Sequence, residues 1–68
     1  MKEELRKRII ENGIKNLNEF GYTQVDKDNI LTDDVYSQFF LSMLNDNLGN
    51  NKVVDEVING LIKEIKNM

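Results

Sequence analysis

The segment from residue 53 to residue 65 has an apolar surface that is broader than one neighbouring helix can cover. At 100° per residue, seven apolar side chains of this segment fill one continuous arc of about 180°. These side chains are Val53, Val54, Val57, Ile58, Leu61, Ile62 and Ile65. The pattern predicts an amphipathic helix that needs more than one neighbour, and we expect a second copy of the chain to supply part of the cover.

The size and composition of the chain favour association for a second reason. We expect its 68 residues to form one helical domain, which would bury only roughly 60% of the surface of the unfolded chain. Domains this small usually add a disulfide, a metal or a partner subunit, and the sequence has no cysteine and no histidine. These absences exclude disulfides and thiolate or imidazole zinc sites, and they remove the residues most used as general base and nucleophile. The composition therefore predicts a non-enzymatic protein without a cofactor.

Charge and hydropathy argue against two classes of partner. Nine basic and twelve acidic residues give a net charge of −3, whereas a domain that binds duplex nucleic acid presents a basic face. No stretch approaches the roughly 20 apolar residues that cross a membrane, and the first residues lack the apolar core of a signal peptide. We expect a cytoplasmic protein that binds neither duplex nucleic acid nor membranes.

The periodicity of the apolar residues predicts an all-α fold of three helices. Their ranges are about 2–20, 32–48 and 52–66. The connection at 21–31 carries four apolar residues: Tyr22, Val25, Ile30 and Leu31. Because these side chains favour burial, we expect the connection to be ordered and packed on the core, with a single helical turn at 26–29.

Residues that favour helix ends stand at the boundaries of these segments. Gly21 is placed to end the first helix in the left-handed conformation, and Gly49 is placed to end the second. The hydroxyl of Thr32 is predicted to cap the second helix. For the third helix either Asn50 or Asn51 is a suitable cap.

The acidic stretch at 26–29 invites comparison with a calcium-binding loop. Such a loop needs an oxygen ligand at position 5, glycine at position 6 and glutamate at position 12. Counting from Asp26, these positions hold Ile30, Leu31 and Ser37. We interpret the acidic residues as part of a solvated turn, and no metal site is predicted.

Two residues of the first helix fall unexpectedly within its apolar arc. Arg6 either lays its methylene groups on the core with its guanidinium in water, or it clamps an anionic ligand. Gly13 costs about 1 kcal/mol relative to alanine inside a helix, so we expect a side chain such as Phe39 or Phe40 to pack closely over it. Gly60 lies on the edge of the apolar half of the third helix and is a candidate for the same role at a subunit contact.

Two sets of apolar residues are predicted to have different roles, one in the core and the other in a subunit interface. Phe39, Phe40 and Met43 are predicted to belong to the core, since aromatic residues dominate burial in small domains. The third helix has a seam whose residues are four, three, four and three positions apart. The seam consists of Val54, Ile58, Leu61, Ile65 and Met68. We predict self-association through its first four residues.

A set of short motifs in the central part of the chain follows a recurring pattern. The motifs are Asn16-Leu17, Glu19-Phe20-Gly21-Tyr22, Asn29-Ile30-Leu31-Thr32-Asp33, Val35-Tyr36, Phe39-Phe40, Met43-Leu44, Asp46-Asn47 and Leu48-Gly49. Over residues 16–65 the chain resembles small uncharacterised helical proteins encoded by tailed phages and prophages. The resemblance implies action inside a bacterial host, where short helical proteins bind and block host factors or sequester a defence signal. It assigns no site residue.

These observations lead to two hypotheses about function. The first is a non-enzymatic protein that forms a homodimer or larger assembly and binds or blocks a host defence protein in the bacterial cytoplasm. The alternative is an oligomeric sponge that sequesters a nucleotide immune signal between subunits. The candidate contacts for that anionic ligand are Arg6, Arg8, Tyr22 and Tyr36, because arginines pair with phosphates and tyrosines stack on bases.

Overall fold

A computed structural model describes residues 1–67 and has three helices in contact with one another. The helices are α1 (Lys2–Glu19), α2 (Asp34–Asp46) and α3 (Lys52–Lys66). No strand occurs within the described residues. The predicted all-α, three-helix architecture is confirmed, with each end of α2 lying two residues inside its predicted range.

The end of α1 is a Schellman motif built on Gly21. Gly21 has a φ of +102°, which a residue without Cβ adopts at little cost. Its amide donates to the Asn18 carbonyl at 3.0 Å, and the Tyr22 amide donates to the Leu17 carbonyl at 3.0 Å. The predicted role of Gly21 is confirmed, and the motif directs the chain away from α1 at Tyr22.

The N-terminus of α2 is capped by Asp33, so the prediction for Thr32 is wrong. The Asp33 carboxylate accepts hydrogen bonds from the amides of Val35 at 2.9 Å and Tyr36 at 3.0 Å. Thr32 instead donates its hydroxyl to the Asp28 carbonyl at 3.3 Å. Because Thr32 belongs to the preceding turn, the next short oxygen-bearing side chain takes the cap.

The connection before α2 is ordered by a turn around Asp26, as predicted. The Asp26 carboxylate accepts from the amides of Asp28 and Asn29, and the Asn29 side-chain oxygen accepts from the Asp26 amide at 2.7 Å. Val25 and Ile30 on either side are buried. Because backbone amides already engage Asp26, the turn is explained without a cation, and no cluster of metal-binding residues occurs in residues 1–67.

The turn between α2 and α3 resolves the alternative between two asparagines in favour of Asn51. The Asn51 side-chain oxygen accepts from the amides of Val53 at 2.9 Å and Val54 at 3.3 Å. Asp55 in the first turn of α3 accepts from the Gly49 amide at 3.0 Å. This bond ties the positive-φ residue Gly49 to the first turn of α3.

The core lies between the three helices and the connection before α2. Its ten buried hydrophobic residues are Ile10, Leu17, Val25, Ile30, Phe40, Leu44, Val57, Ile58, Leu61 and Ile65. Gly13 is buried at its centre, and an added Cβ would lie 2.5 Å from Cε1 of Phe40. The predicted close packing over Gly13 is therefore confirmed, with Phe40 as the residue that packs there.

The apolar face of α3, which carries the residues predicted for self-association, is covered largely within one chain. Ile58, Leu61 and Ile65 are buried in the core of the chain itself, and Val54 is half-buried against it. Val25 and Ile30 of the connection before α2 belong to the same core. Met68, the last residue of the seam, lies outside the described residues.

Candidate functional site

Three of the large hydrophobic side chains that remain exposed belong to the C-terminal end of α1 and to α2. Phe20 is 76% exposed, Val35 is 51% exposed and Phe39 is 44% exposed. Val35 and Phe39 lie four residues apart on α2, so they share one side of the helix. Together with the half-buried Tyr22 and Tyr36 they form what we call the aromatic surface: Phe20, Tyr22, Val35, Tyr36 and Phe39.

Contacts between rings hold much of the aromatic surface in place. The ring of Tyr22 meets Tyr36 edge-on, with centroids 5.8 Å apart and an interplanar angle of 71°. It also lies against Phe39, with centroids 5.4 Å apart. Such arrangements are favourable beyond the area they bury. Because Tyr22 is positioned by the Schellman motif at the end of α1, the surface has a defined shape before any partner arrives.

Phe39 departs from its predicted place in the core. The neighbouring residue Phe40 is only 1% exposed and packs on Gly13, whereas Phe39 is partly exposed beside Tyr22. Adjacent residues on a helix point about 100° apart. The burial of Phe40 against α1 therefore turns Phe39 toward the end of α1. Met43, predicted with them, is half-buried against the core.

The surroundings of the aromatic surface are acidic. No lysine or arginine occurs from residue 28 to residue 51, a stretch that includes Asp28, Asp33, Asp34 and Asp46. Asp33 and Asp34 immediately precede Val35, and Glu19 immediately precedes Phe20. The carboxylates of Asp33 and Asp34 are therefore available to a partner on the α2 side of this surface, and Lys66 of α3 lines the same hollow as Asp34.

The residues predicted to contact an anionic ligand occupy two separate places. Tyr22 and Tyr36 meet at the aromatic surface. Arg6 lies near the other end of α1, where its Nη2 donates to both carboxylate oxygens of Glu64 at 2.9 and 3.1 Å. The 13 residues from Arg6 to Glu19 span about 20 Å of helix. Arg8 is exposed on the same distant part of α1, so one chain does not bring the arginines and tyrosines together.

A cleft between α1, α2 and the start of α3 was not anticipated from the sequence. It has a volume of about 200 Å³ and carries four asparagines at its margin: Asn12, Asn16, Asn47 and Asn50. Asn12 and Asn16 are four residues apart on α1 and flank Gly13. The four-residue spacing of Asn12 and Asn16 was the only local sign of the cleft in the sequence. The other two asparagines lie in the turn after α2 and are brought to the cleft by the tertiary structure.

Comparisons with protein-family models, with curated proteins and with solved structures find no match to this chain. The resemblance to phage and prophage proteins therefore stays a prediction. Within residues 1–67, no helix has the length and apolar content required to cross a lipid bilayer.

Proposed function

We propose that this chain is a non-enzymatic binding protein that recognises another protein through the aromatic surface. The observation that carries the proposal is the exposure of Phe39 against Tyr22, whose ring also contacts Tyr36. Val35 is exposed on the same side of α2 as Phe39, and Phe20 is exposed two residues before Tyr22 in the sequence. Large aromatic side chains provide much of the binding energy in protein interfaces, and ordered rings lose little conformational entropy on binding. The absence of histidine and cysteine from the sequence supports a binding role over catalysis.

The charge around the aromatic surface indicates the chemistry of the partner. Glu19, Asp33 and Asp34 lie next to its exposed residues in the sequence, and residues 28–51 contain no basic residue. A complementary partner has an apolar centre and a basic margin, since opposite potentials accelerate association and exclude wrong partners. We propose a host protein of the bacterial cytoplasm, blocked by occupation of such a site.

Self-association is part of the proposal but has to use a face other than the buried side of α3. Ile58, Leu61 and Ile65 are already covered within the chain. Two copies of the aromatic surface would bring their acidic margins together, which disfavours that contact. A homodimer or larger assembly would thus leave the aromatic surface free for the host protein.

The test compares a pair of exposed residues in the aromatic surface with a single exposed residue outside it, for binding to a host protein captured from bacterial lysate. We expect the Phe20→Ser, Phe39→Ser double variant to bind the captured protein at least about a hundredfold more weakly, because two interface hot spots are lost. Calorimetry with the purified partner provides the affinity. The matched control is Val53→Ser, since Val53 is 49% exposed and lies at the start of α3 outside the aromatic surface.

Three results would contradict the proposal. The first is wild-type affinity of the double variant, and the second is an equal loss in Val53→Ser. The third is recovery of nothing but the chain itself from the lysate. Circular dichroism on each variant checks that the helices are intact. We expect them to be intact because all three substituted side chains are exposed.

A further inference from the structure

The asparagine-lined cleft has a composition unlike the rest of the chain. Eleven residues line it, and all of them are uncharged, although 31% of the chain is charged. Four of the ten asparagines in the sequence stand at this one place. The lining residues are Ile9, Asn12, Gly13, Asn16, Phe40, Met43, Leu44, Asn47, Asn50, Val54 and Ile58. The cleft therefore offers amides and apolar surface without electrostatic attraction for a charged ligand.

The floor of the cleft is apolar and firmly packed. Phe40, Leu44 and Ile58 are buried, and the ring of Phe40 fills the space that a side chain at Gly13 would occupy. Met43 adds a polarisable thioether, a group that makes favourable contacts with aromatic rings. The half-buried Ile9, Met43 and Val54 supply the part of the floor that a flat ring could contact. The Met43 sulfur also accepts a hydrogen bond from Asn16 Nδ2 at 3.8 Å.

The margin of the cleft supplies hydrogen-bonding groups from two directions. Asn12 and Asn16 come from α1, and Asn47 and Asn50 come from the turn after α2. Asn47 is oriented by a hydrogen bond from its Nδ2 to the Met43 carbonyl at 2.8 Å, which leaves its side-chain oxygen as an acceptor. Each carboxamide carries both donors and an acceptor. This arrangement suits a ligand whose edge alternates donors and acceptors.

We propose that the cleft binds an uncharged heteroaromatic ring of nucleobase size, held on the apolar floor with its edge toward the asparagines. A volume of about 200 Å³ is smaller than that of typical pockets for drug-sized ligands, about 300–1,000 Å³, so one ring system fills it. No cation lines the cleft to compensate a phosphate group. The site is independent of the aromatic surface, because the two share no residue.

The test is an NMR titration of the ¹⁵N-labelled chain with adenosine and uridine as probes. We expect saturable shifts of the Gly13 backbone amide and of the side-chain amides of Asn12 and Asn50 with at least one of the two nucleosides. Adenosine monophosphate serves as the charged counterpart of adenosine. It is expected to bind no more tightly than adenosine, because the cleft has no basic residue for the phosphate.

Matched asparagine variants test whether the cleft is responsible. We expect Asn12→Ala with Asn50→Ala to weaken binding at least about tenfold, the factor that one to two neutral hydrogen bonds supply. The control is Asn18→Ala with Asn45→Ala, since these residues are also exposed and lie outside the cleft. The control is expected to bind as the wild type does.

The proposal is overturned by any of four results. These are the absence of saturable shifts with both nucleosides at millimolar concentration, shifts confined to residues outside the cleft, equal losses in the two double variants, and binding of the monophosphate more than tenfold tighter than that of adenosine. Circular dichroism of both double variants checks that a loss of binding does not come from unfolding. We expect both variants to be helical because the substituted side chains are solvent-exposed.

Discussion

At the scale of the residue, Gly13 determines how closely α1 and α2 approach. An added Cβ would lie 2.5 and 2.7 Å from two atoms of the Phe40 ring and 3.1 Å from Cδ1 of Ile30. The glycine costs about 1 kcal/mol of helix propensity. That cost is offset because the ring of Phe40, only 1% exposed, fills the space that a side chain would take. Gly60 on α3 has no atom within 4 Å of the same position.

Alanine at the two helical glycines is expected to have opposite effects on stability. Gly13→Ala should lower the free energy of unfolding by about 1–2 kcal/mol, because overpacking against Phe40 exceeds the gain in helix propensity. Gly60→Ala should raise it by up to about 1 kcal/mol, because open space lies above it. Urea unfolding measures both. If Gly60→Ala destabilises as much as Gly13→Ala, another subunit packs on Gly60.

At the scale of the element, side chains beside each helix decide where it begins and how it attaches to its neighbours. Asp33 caps α2 and Asn51 caps α3, and both do so with bonds to two backbone amides. Two ion pairs join α1 to α3: Lys2 with Glu56 at 2.7 Å and Arg6 with Glu64 at 2.9 Å. Both pairs are largely solvated, so they contribute little to stability and mainly neutralise the charges of α1.

Removal of the α2 cap provides the test at this scale. Asp33→Ala is expected to lower the free energy of unfolding by about 1 kcal/mol, because the amides of Val35 and Tyr36 lose their acceptor. Thr32→Ala is the matched control and should cost less, since its hydroxyl makes one long bond to the preceding turn. A larger loss in Thr32→Ala than in Asp33→Ala would contradict the assignment of the cap.

At the scale of the whole molecule, the connection before α2 contributes buried apolar side chains to the core that the three helices form. Val25 and Ile30 from this segment are buried in the same core as Ile58 and Leu61 of α3. The connection therefore adds apolar side chains to the same core in which most of the broad face of α3 is buried within a single chain. Phe20 and Phe39 remain exposed outside this core.

A charge introduced into α3 distinguishes a core from a subunit interface. Ile58→Asp is expected to abolish the helical circular dichroism signal, because an unpaired carboxylate at a site only 1% exposed costs more than so small a core supplies. Val53→Asp is the control and should stay folded, since Val53 is exposed in the first turn of α3. A helical Ile58→Asp variant of reduced mass by light scattering would instead place Ile58 in an interface.

Local signals in the sequence were enough to predict the three helices and the residues that end or cap several of them. Gly21 acts through its backbone conformation and Asn51 through bonds to amides within three residues. Such local roles are predictable from the sequence, although the choice between Asn50 and Asn51 was not. Thr32 and Asp33 are both good caps by residue type, and the choice between them depended on the turn that Thr32 joins. The packing of Gly13 was predictable because an apolar-face glycine needs a neighbour, although both Phe39 and Phe40 qualified.

The sequence by itself determined three amphipathic helices and the width of each apolar arc, because these follow from residue spacing along one helix. Only the tertiary structure decided what covers each arc. Ile58 and Leu61 are buried in a core that also contains Val25 and Ile30 of the connection, residues far from α3 in the sequence. The separation of Phe39 from Phe40 and the meeting of four asparagines arise in the same way. Helical periodicity gives the direction of a side chain, whereas its neighbours depend on how distant segments pack.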